Sequence, residues 1–270
     1  MYPILLFDKI WGWRVPAKSL NVWVEQGGAG LQAFSITDIG EKRRINQDYV
    51  FYEVNAIGNL PNLFIVADGM GGHNAGDYAS RFCVEFFSEY IRKSDITSPI
   101  ALMEEAIKET NDRLYEKSKQ QIDYEGMGTT FVVATIFGNE MYVANIGDSR
   151  LYVISKEIRQ ITEDHSLVQA MVKNGELDQD EAKTHPNKNI ITRALGTNET
   201  AQPDFFEVEL EEGDMVLMCS DGLTNMLDDS IIERIARENV DDLGTAADTL
   251  VKQANLNGGK DNITVIIVKV

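Results

Sequence analysis

Four aspartates have the type and spacing that chemistry would use. Asp68 closes the apolar run Phe64–Ala67 and leads into Gly69, Gly71 and Gly72. Asp221 closes Met215–Ser220 and precedes Gly222, and Asp148 closes Met141–Gly147. Asp261 sits in the turn Gly258-Gly-Lys-Asp-Asn262, before the apolar run Ile263–Val270. One Asp-Gly pair is most often a turn. Repetition changes that reading, because a cluster of buried acids is strongly unfavourable unless cations neutralise it. Acids with few histidines nearby select hard, oxygen-loving ions such as Mg²⁺ or Mn²⁺.

Several elements must position these acids. Phe64–Ala67 reads as a buried strand ending on Asp68. The glycines after it let the backbone turn sharply and approach a ligand. A helix follows, with Tyr78, Phe82, Phe86 and Tyr90 spaced by four and Ala79, Cys83 and Phe87 beside them. Ser98-Pro99 starts a second helix. Its apolar face is Leu102, Met103, Ala106, Ile107, Thr110 and Leu114, with Glu104 and Glu105 early and Lys117 and Lys119 late. Strands are expected at 31–37, 49–54, 129–137, 140–146, 150–155, 204–210 and 215–220, besides the last run. Gly138-Asn139 is a two-residue hairpin signal. The stretch 165–195 is polar and helical, with a short helix near 178–183. Helices near 230–238 and 245–254 precede the final strand. Strand runs interrupted by helix pairs give an α+β class rather than alternating β-α-β units.

Composition narrows the function. The chain has 270 residues, room for a sizeable core in one large domain or two small ones. Its 43 acidic and 25 basic residues leave a net charge of −18. That excess argues against nucleic acid and anionic membranes, since phosphate binding needs a cationic surface. An anionic substrate must therefore be drawn in locally, by metals and a few arginines. Cys83 and Cys219 lie in apolar runs and read as core residues, so a reducing cytoplasm is the default. Residues 1–30 form an extension of unknown role. It contains Trp11, Trp13 and Trp23 and ends in the link Gly27-Gly-Ala-Gly30. Its opening apolar run has no basic start for a signal peptide and is too short to span a membrane.

The segments RRINQD (43–48), VADGMGGHNAGDYAS (66–80), GTT (128–130), ANIGDSR (144–150), DHSLVQAMVKNGEL (164–177), NIITRALG (189–196), SDGL (220–223) and GGKDNITVI (258–266) stand in one order along the chain. Together they resemble the metal-dependent serine/threonine protein phosphatases of type 2C, bacterial single-domain kind. The resemblance covers residues 31–270. It implies two antiparallel sheets packed as a central sandwich, helices on both outer faces and a small flap subdomain at about 165–195. It implies that Asp68 bridges two ions with help from the Gly69 carbonyl, that Asp221 and Asp261 hold one ion, and that Asp48 orders metal-bound water. Asp148 would recruit a third, weaker ion. The ions are Mn²⁺ or Mg²⁺, and a bridging hydroxide would attack phosphorus. Arg43 would anchor the phosphate, guanidinium being able to hold two of its oxygens. Arg44 is its neighbour, and the family's spacing, three residues before Asn46, favours Arg43. Met70 stands where animal relatives have histidine, so His73 is the candidate general acid, with a structural role at the helix start as its alternative. His165 and His185 read as structural. Expected partners are phosphorylated proteins, the substrates of a serine/threonine kinase, met by a monomer without nucleic acid or membrane.

Overall fold

The computed structural model describes residues 22–26 (backbone only), 30–72, 75–120 and 122–270. Two antiparallel sheets face each other. The first runs β1(Val22–Gln26), β2(Gln32–Asp38), β12(Ile263–Lys269), β11(Met215–Cys219), β8(Arg150–Ile154), β9(Ile158–Gln160). The second runs β10(Asp204–Glu209), β7(Glu140–Ile146), β6(Phe131–Phe137), β4(Leu63–Met70), β3(Asp48–Glu53), with β5(Gly128–Thr129) paired to the end of β4.

The central strands are apolar on both faces because both faces are covered. In β4, Phe64 and Val66 pack into the cluster between the sheets, while Ile65 and Ala67 pack under the helices. In β12, Ile266 and Val268 face the sandwich, and Ile263, Val265 and Ile267 face the opposite helical layer. This is the two-residue alternation of a pleated strand, with core on each side. Helices α1(Ala75–Lys93) and α2(Pro99–Gln120) cover the second sheet. Helices α6(Asp229–Glu238) and α7(Leu243–Leu256) cover the first. Helices α3(Leu167–Lys173) and α4(Gln179–Thr184) form the excursion between β9 and β10, and α5(Asp221–Thr224) is a single turn after β11.

The α+β sandwich expected from the sequence is the fold observed. Helix α2 starts at Pro99 and buries the six residues assigned to its apolar face. Three local expectations change. Strand β4 does not stop at Asp68; it runs to Met70 because β5 supplies a ladder partner for Gly69 and Met70. The 129–137 run breaks at Thr130, between β5 and β6. On α1 the fully buried stripe is Ala79, Cys83, Phe87 and Ile91. Tyr78, Phe82 and Phe86 are half-buried and stack as a ladder, each step 5.7 Å between ring centres, with the Lys117 ammonium over Tyr78. Strand β1 falls within residues 1–30 and pairs with β2 at the sheet edge. Trp11, Trp13, the side chain of Trp23 and the link at 27–29 lie outside the described residues, as does His73. Cys83 and Cys219 are buried free thiols, as read.

Candidate metal centre

Where the strand ends of the two sheets meet, a cavity of about 280 Å³ opens. Asp68, Asp148, Asp221 and Asp261 line it, together with Arg43 and Gly69. Asp68 stands in mid-strand, directly opposite Asp48 in the β3–β4 ladder. Its backbone is fixed by Thr130: the Asp68 amide donates to Thr130 Oγ1 (2.9 Å), and the Thr130 amide donates back to the Asp68 carbonyl (2.9 Å). Gly69 must be glycine. A Cβ there would lie 2.0 Å from the Gly76 carbonyl oxygen of α1 and 2.7 Å from that of Gln47. Asp221 opens α5, and its Oδ2 accepts from Asn225 Nδ2 (2.9 Å). Asp148 lies in the β7–β8 turn after Gly147, rather than on a strand.

Asp48 is placed differently from the other acids. It does not line the cavity but sits behind its wall, with Oδ2 accepting from Ser220 Oγ at 2.7 Å. Both Arg43 and Arg44 are exposed, but only Arg43 lines the cavity, where it donates to Asp261 Oδ2 at 2.6 Å. Arg150 does not pair with Asp148. Its guanidinium grips Asp164, Nε to Oδ1 at 2.9 Å and Nη2 to Oδ2 at 2.7 Å, and bonds the Tyr152 hydroxyl.

The acids repel one another. Burial is the largest cause at each, and neighbouring aspartates add to it. The carboxyls are raised to about 7 at Asp48, about 8 at Asp148 and about 6 at Asp221, and Asp68 lies well above the ordinary range. Hydrogen bonds from Ser220 and Thr264 oppose the rise at Asp48. Two of the buried oxygens, Asp48 Oδ1 and Asp221 Oδ1, have no hydrogen-bond partner. Orphaned carboxylate oxygens in a repelling cluster are what cations would satisfy. Among the described residues no three acidic, imidazole or thiol side chains close around one point. The ion-free cavity stands open, which suits ions that draw carboxylates in while keeping several waters, as Mg²⁺ does. The donor set therefore fits the divalent ions expected from the sequence.

Three residues that hold the site were not singled out in the sequence. Asn262 donates from Nδ2 to the carbonyls of Ile39 (2.9 Å) and Ile45 (3.0 Å), and its Oδ1 accepts from the Gln47 amide (2.9 Å). It thereby clamps both ends of the loop that carries Arg43. Ser220 and Thr130 are the other two. All three lie inside matched segments, GGKDN, SDGL and GTT, so the signal was present without a role attached. The flap contributes Asn189 and Ile191 to the cavity wall. Its Lys188 Nζ donates to Asn225 Oδ1 (2.9 Å), the residue that holds Asp221.

Comparison with known proteins places the chain in a family. The chain is 42% identical over 237 residues to protein phosphatase PhpP of Streptococcus pneumoniae, covering 86% of this chain and 95% of that one. The solved serine/threonine phosphatase of S. agalactiae superposes with a TM-score of 0.83 at 38% identity, over 89% of this chain and 99% of that chain. The catalytic domain of the serine/threonine protein phosphatase PstP, solved in complex with two manganese ions, superposes with a TM-score of 0.77 at 31% identity, over 88% of this chain and 97% of that chain. The family model for protein phosphatase 2C matches residues 41–253, and this chain belongs to that family.

Proposed function

We propose that this serine/threonine protein phosphatase hydrolyses phosphoserine and phosphothreonine in proteins at the Asp68 cavity, with Mn²⁺ or Mg²⁺ as cofactor. The observation that carries the reading is the convergence of Asp68, Asp148, Asp221 and Asp261 with one guanidinium, Arg43, in a single open cavity. Two divalent ions held there would supply a hydroxide nucleophile and clamp the phosphoryl oxygens.

In this reading Asp68 and the Gly69 carbonyl would help to hold both ions, and Asp221 and Asp261 would hold one of them. Asp48, behind the wall, would orient water rather than bind directly. Arg43 is poised on Asp261 and would exchange that partner for a phosphate dianion, its planar fork matching two phosphate oxygens. The leaving alkoxide needs a proton, and we assign its delivery to His73, two residues beyond the cavity-lining Gly71. Asp148 would hold a third, weaker ion at the rim. The net charge of −18 leaves phosphate capture to these local groups and speaks for phosphoprotein partners, made by a serine/threonine kinase, over nucleic acid. Buried free thiols suit a reducing cytoplasm, and no described helix is long and apolar enough to cross a membrane. We expect a monomer.

One assay tests this. A phosphothreonine peptide and an aryl phosphate are offered to wild type and His73→Ala, with and without Mn²⁺ after chelation. Both substrates should be hydrolysed by wild type only with the ion. His73→Ala should slow the peptide about 10²–10⁴-fold and the aryl phosphate, a good leaving group, far less. Full activity after rigorous removal of ions contradicts the cofactor. Hydrolysis of the aryl phosphate alone by wild type contradicts the protein substrate. Equal losses on both substrates remove His73 from its role.

A further inference from the structure

A buried histidine that the proposed chemistry does not use lies at the root of the flap. His165 is 6% exposed, between β9 and α3. It touches Gly147 twice. The Gly147 amide donates to His165 Nδ1 (3.1 Å), and the His165 amide donates to the Gly147 carbonyl (2.9 Å). Gly147 has φ +110°, a conformation that side chains rarely adopt, and a Cβ there would meet Thr130 Cβ at 2.6 Å. Asp148 is the next residue.

The contact to Gly147 fixes the ring's protonation pattern. A nitrogen that accepts an N–H must present its lone pair, so the proton of the neutral ring sits on Nε2. Nε2 lies 3.0 Å from Asp204 Oδ2 on β10. Arg193 Nη1 donates to the other oxygen, Oδ1, at 2.8 Å and also lies 3.2 Å from Nε2, so the guanidinium and the carboxylate meet at the same ring nitrogen. Burial lowers the imidazole's pKa, and the Arg193 charge adds to this against the Asp204 hydrogen bond. At Asp204, burial acts upward, but hydrogen bonds from His165 and Arg193 bring the carboxyl below its usual range. The ring is therefore neutral near pH 7, with a defined tautomer.

The same residue joins the flap's two ends. The Thr192 amide donates to the His165 carbonyl at 2.7 Å, and the Leu167 amide donates to the Ile190 carbonyl at 2.8 Å. Ser166 and Ile191 form an antiparallel bridge between these contacts. Ile191 and Asn189 line the cavity. One side chain thus touches the turn that carries Asp148, and its backbone anchors the flap segment that faces the same cavity.

We propose that His165 is a positioning residue: as the Nε2–H tautomer held by Asp204 and Arg193, it sets the Gly147 turn that aims Asp148 and locks the flap's two bridged ends to that turn. The inference rests on the rim role given to Asp148 above. It makes His165 neither an acid nor a base, and it predicts that its two nitrogens do different work.

Two substitutions separate them. His165→Asn places an amide oxygen near the position of Nδ1, able to accept from Gly147 but short of Asp204. His165→Gln reaches toward Asp204 but leaves the Gly147 amide without its acceptor. We expect His165→Gln to lose about 10–100-fold in turnover, the scale seen when partners behind metal ligands are removed. It should also need more Mn²⁺ for half-maximal rate, with the two tight ions in calorimetry unchanged. His165→Asn should lose several-fold less. Equal losses in both would mean that the ring merely fills space, and would overturn the proposal. Nitrogen-15 NMR of wild type checks the tautomer without any variant: a bare Nδ1 and a protonated Nε2 are expected at pH 7, and a protonated Nδ1 contradicts the proposal even if neither variant folds. Asp148→Ala, assayed alongside, keeps the two readings apart. Loss in Asp148→Ala with none in His165→Gln overturns this inference alone. No loss in Asp148→Ala overturns the rim role, and this inference with it.

Discussion

Asp68→Ala should abolish phosphopeptide hydrolysis, a fall of more than about 10³-fold, while leaving the protein folded. Removing one preorganised electrostatic contact at a reacting oxygen already costs about 10²–10³-fold. Asp68 is assigned to two ions at once, so its loss should remove both the nucleophile and the clamp. Folding should survive because the carboxyl is a burden in the ion-free protein. Burial and then the charges of Asp48, Asp221, Asp148 and Asp261 all disfavour its ionised form. Removing it relieves that repulsion. The ion-free variant should thus melt at or above the ion-free wild type, and the rise in Tm that Mn²⁺ gives wild type should disappear. At 100 times its Kd a bound ion stabilises by about 2.7 kcal/mol, roughly 5–11 °C for a domain of this size. Asp221→Ala should behave in the same direction. A variant that keeps turnover, or one that still gains the full Mn²⁺ shift, contradicts the assignment.

Asp148→Ala should give a smaller effect, and a different one. Its carboxyl lines the same cavity but is carried by the β7–β8 turn rather than by a strand. An ion there would have mostly water ligands, and Mg²⁺ or Mn²⁺ held by one or two carboxylates binds weakly. The alternative, that Asp148 only balances Arg150, is disfavoured because that guanidinium is committed to Asp164 and Tyr152. The variant should therefore keep two tightly bound ions in calorimetry and lose about 10–100-fold in turnover on phosphopeptides. Unchanged turnover across a metal titration, or loss of the tight pair as well, removes Asp148 from this role.

What the sequence made legible was local. Apolar runs ending in acids located β4, β7 and β11, and the four-residue spacing located α1. The choice of Arg43 over Arg44 rested on the family's spacing before Asn46, and Arg43 is the one of the two that lines the cavity. What stayed hidden depends on partners far along the chain. That β4 runs on past Asp68 follows from its pairing with β5, some 60 residues later. Asp48 was expected to order metal-bound water, but its partner was not legible: Ser220, 172 residues away, holds it behind the wall. His165 read as structural because Gly147 and Asp204, the residues that give it a job, lie 18 and 39 positions off. Asn262 had no periodicity to betray it; its three bonds reach back 215 to 223 residues. Residues of this kind are selected by tertiary geometry, and local propensity carries no trace of them.

We expect this cavity to hold a pair of divalent ions astride Asp68. Diffraction from crystals grown with Mn²⁺, recorded where manganese scatters anomalously, would locate them. Two strong anomalous peaks about 3.5–4 Å apart are expected. One should be shared between Asp68 and the Asp221–Asp261 pair, with Arg43 released from Asp261. Peaks elsewhere, or a single peak that leaves Asp68 without an ion in crystals whose dissolved protein is fully active, would contradict it.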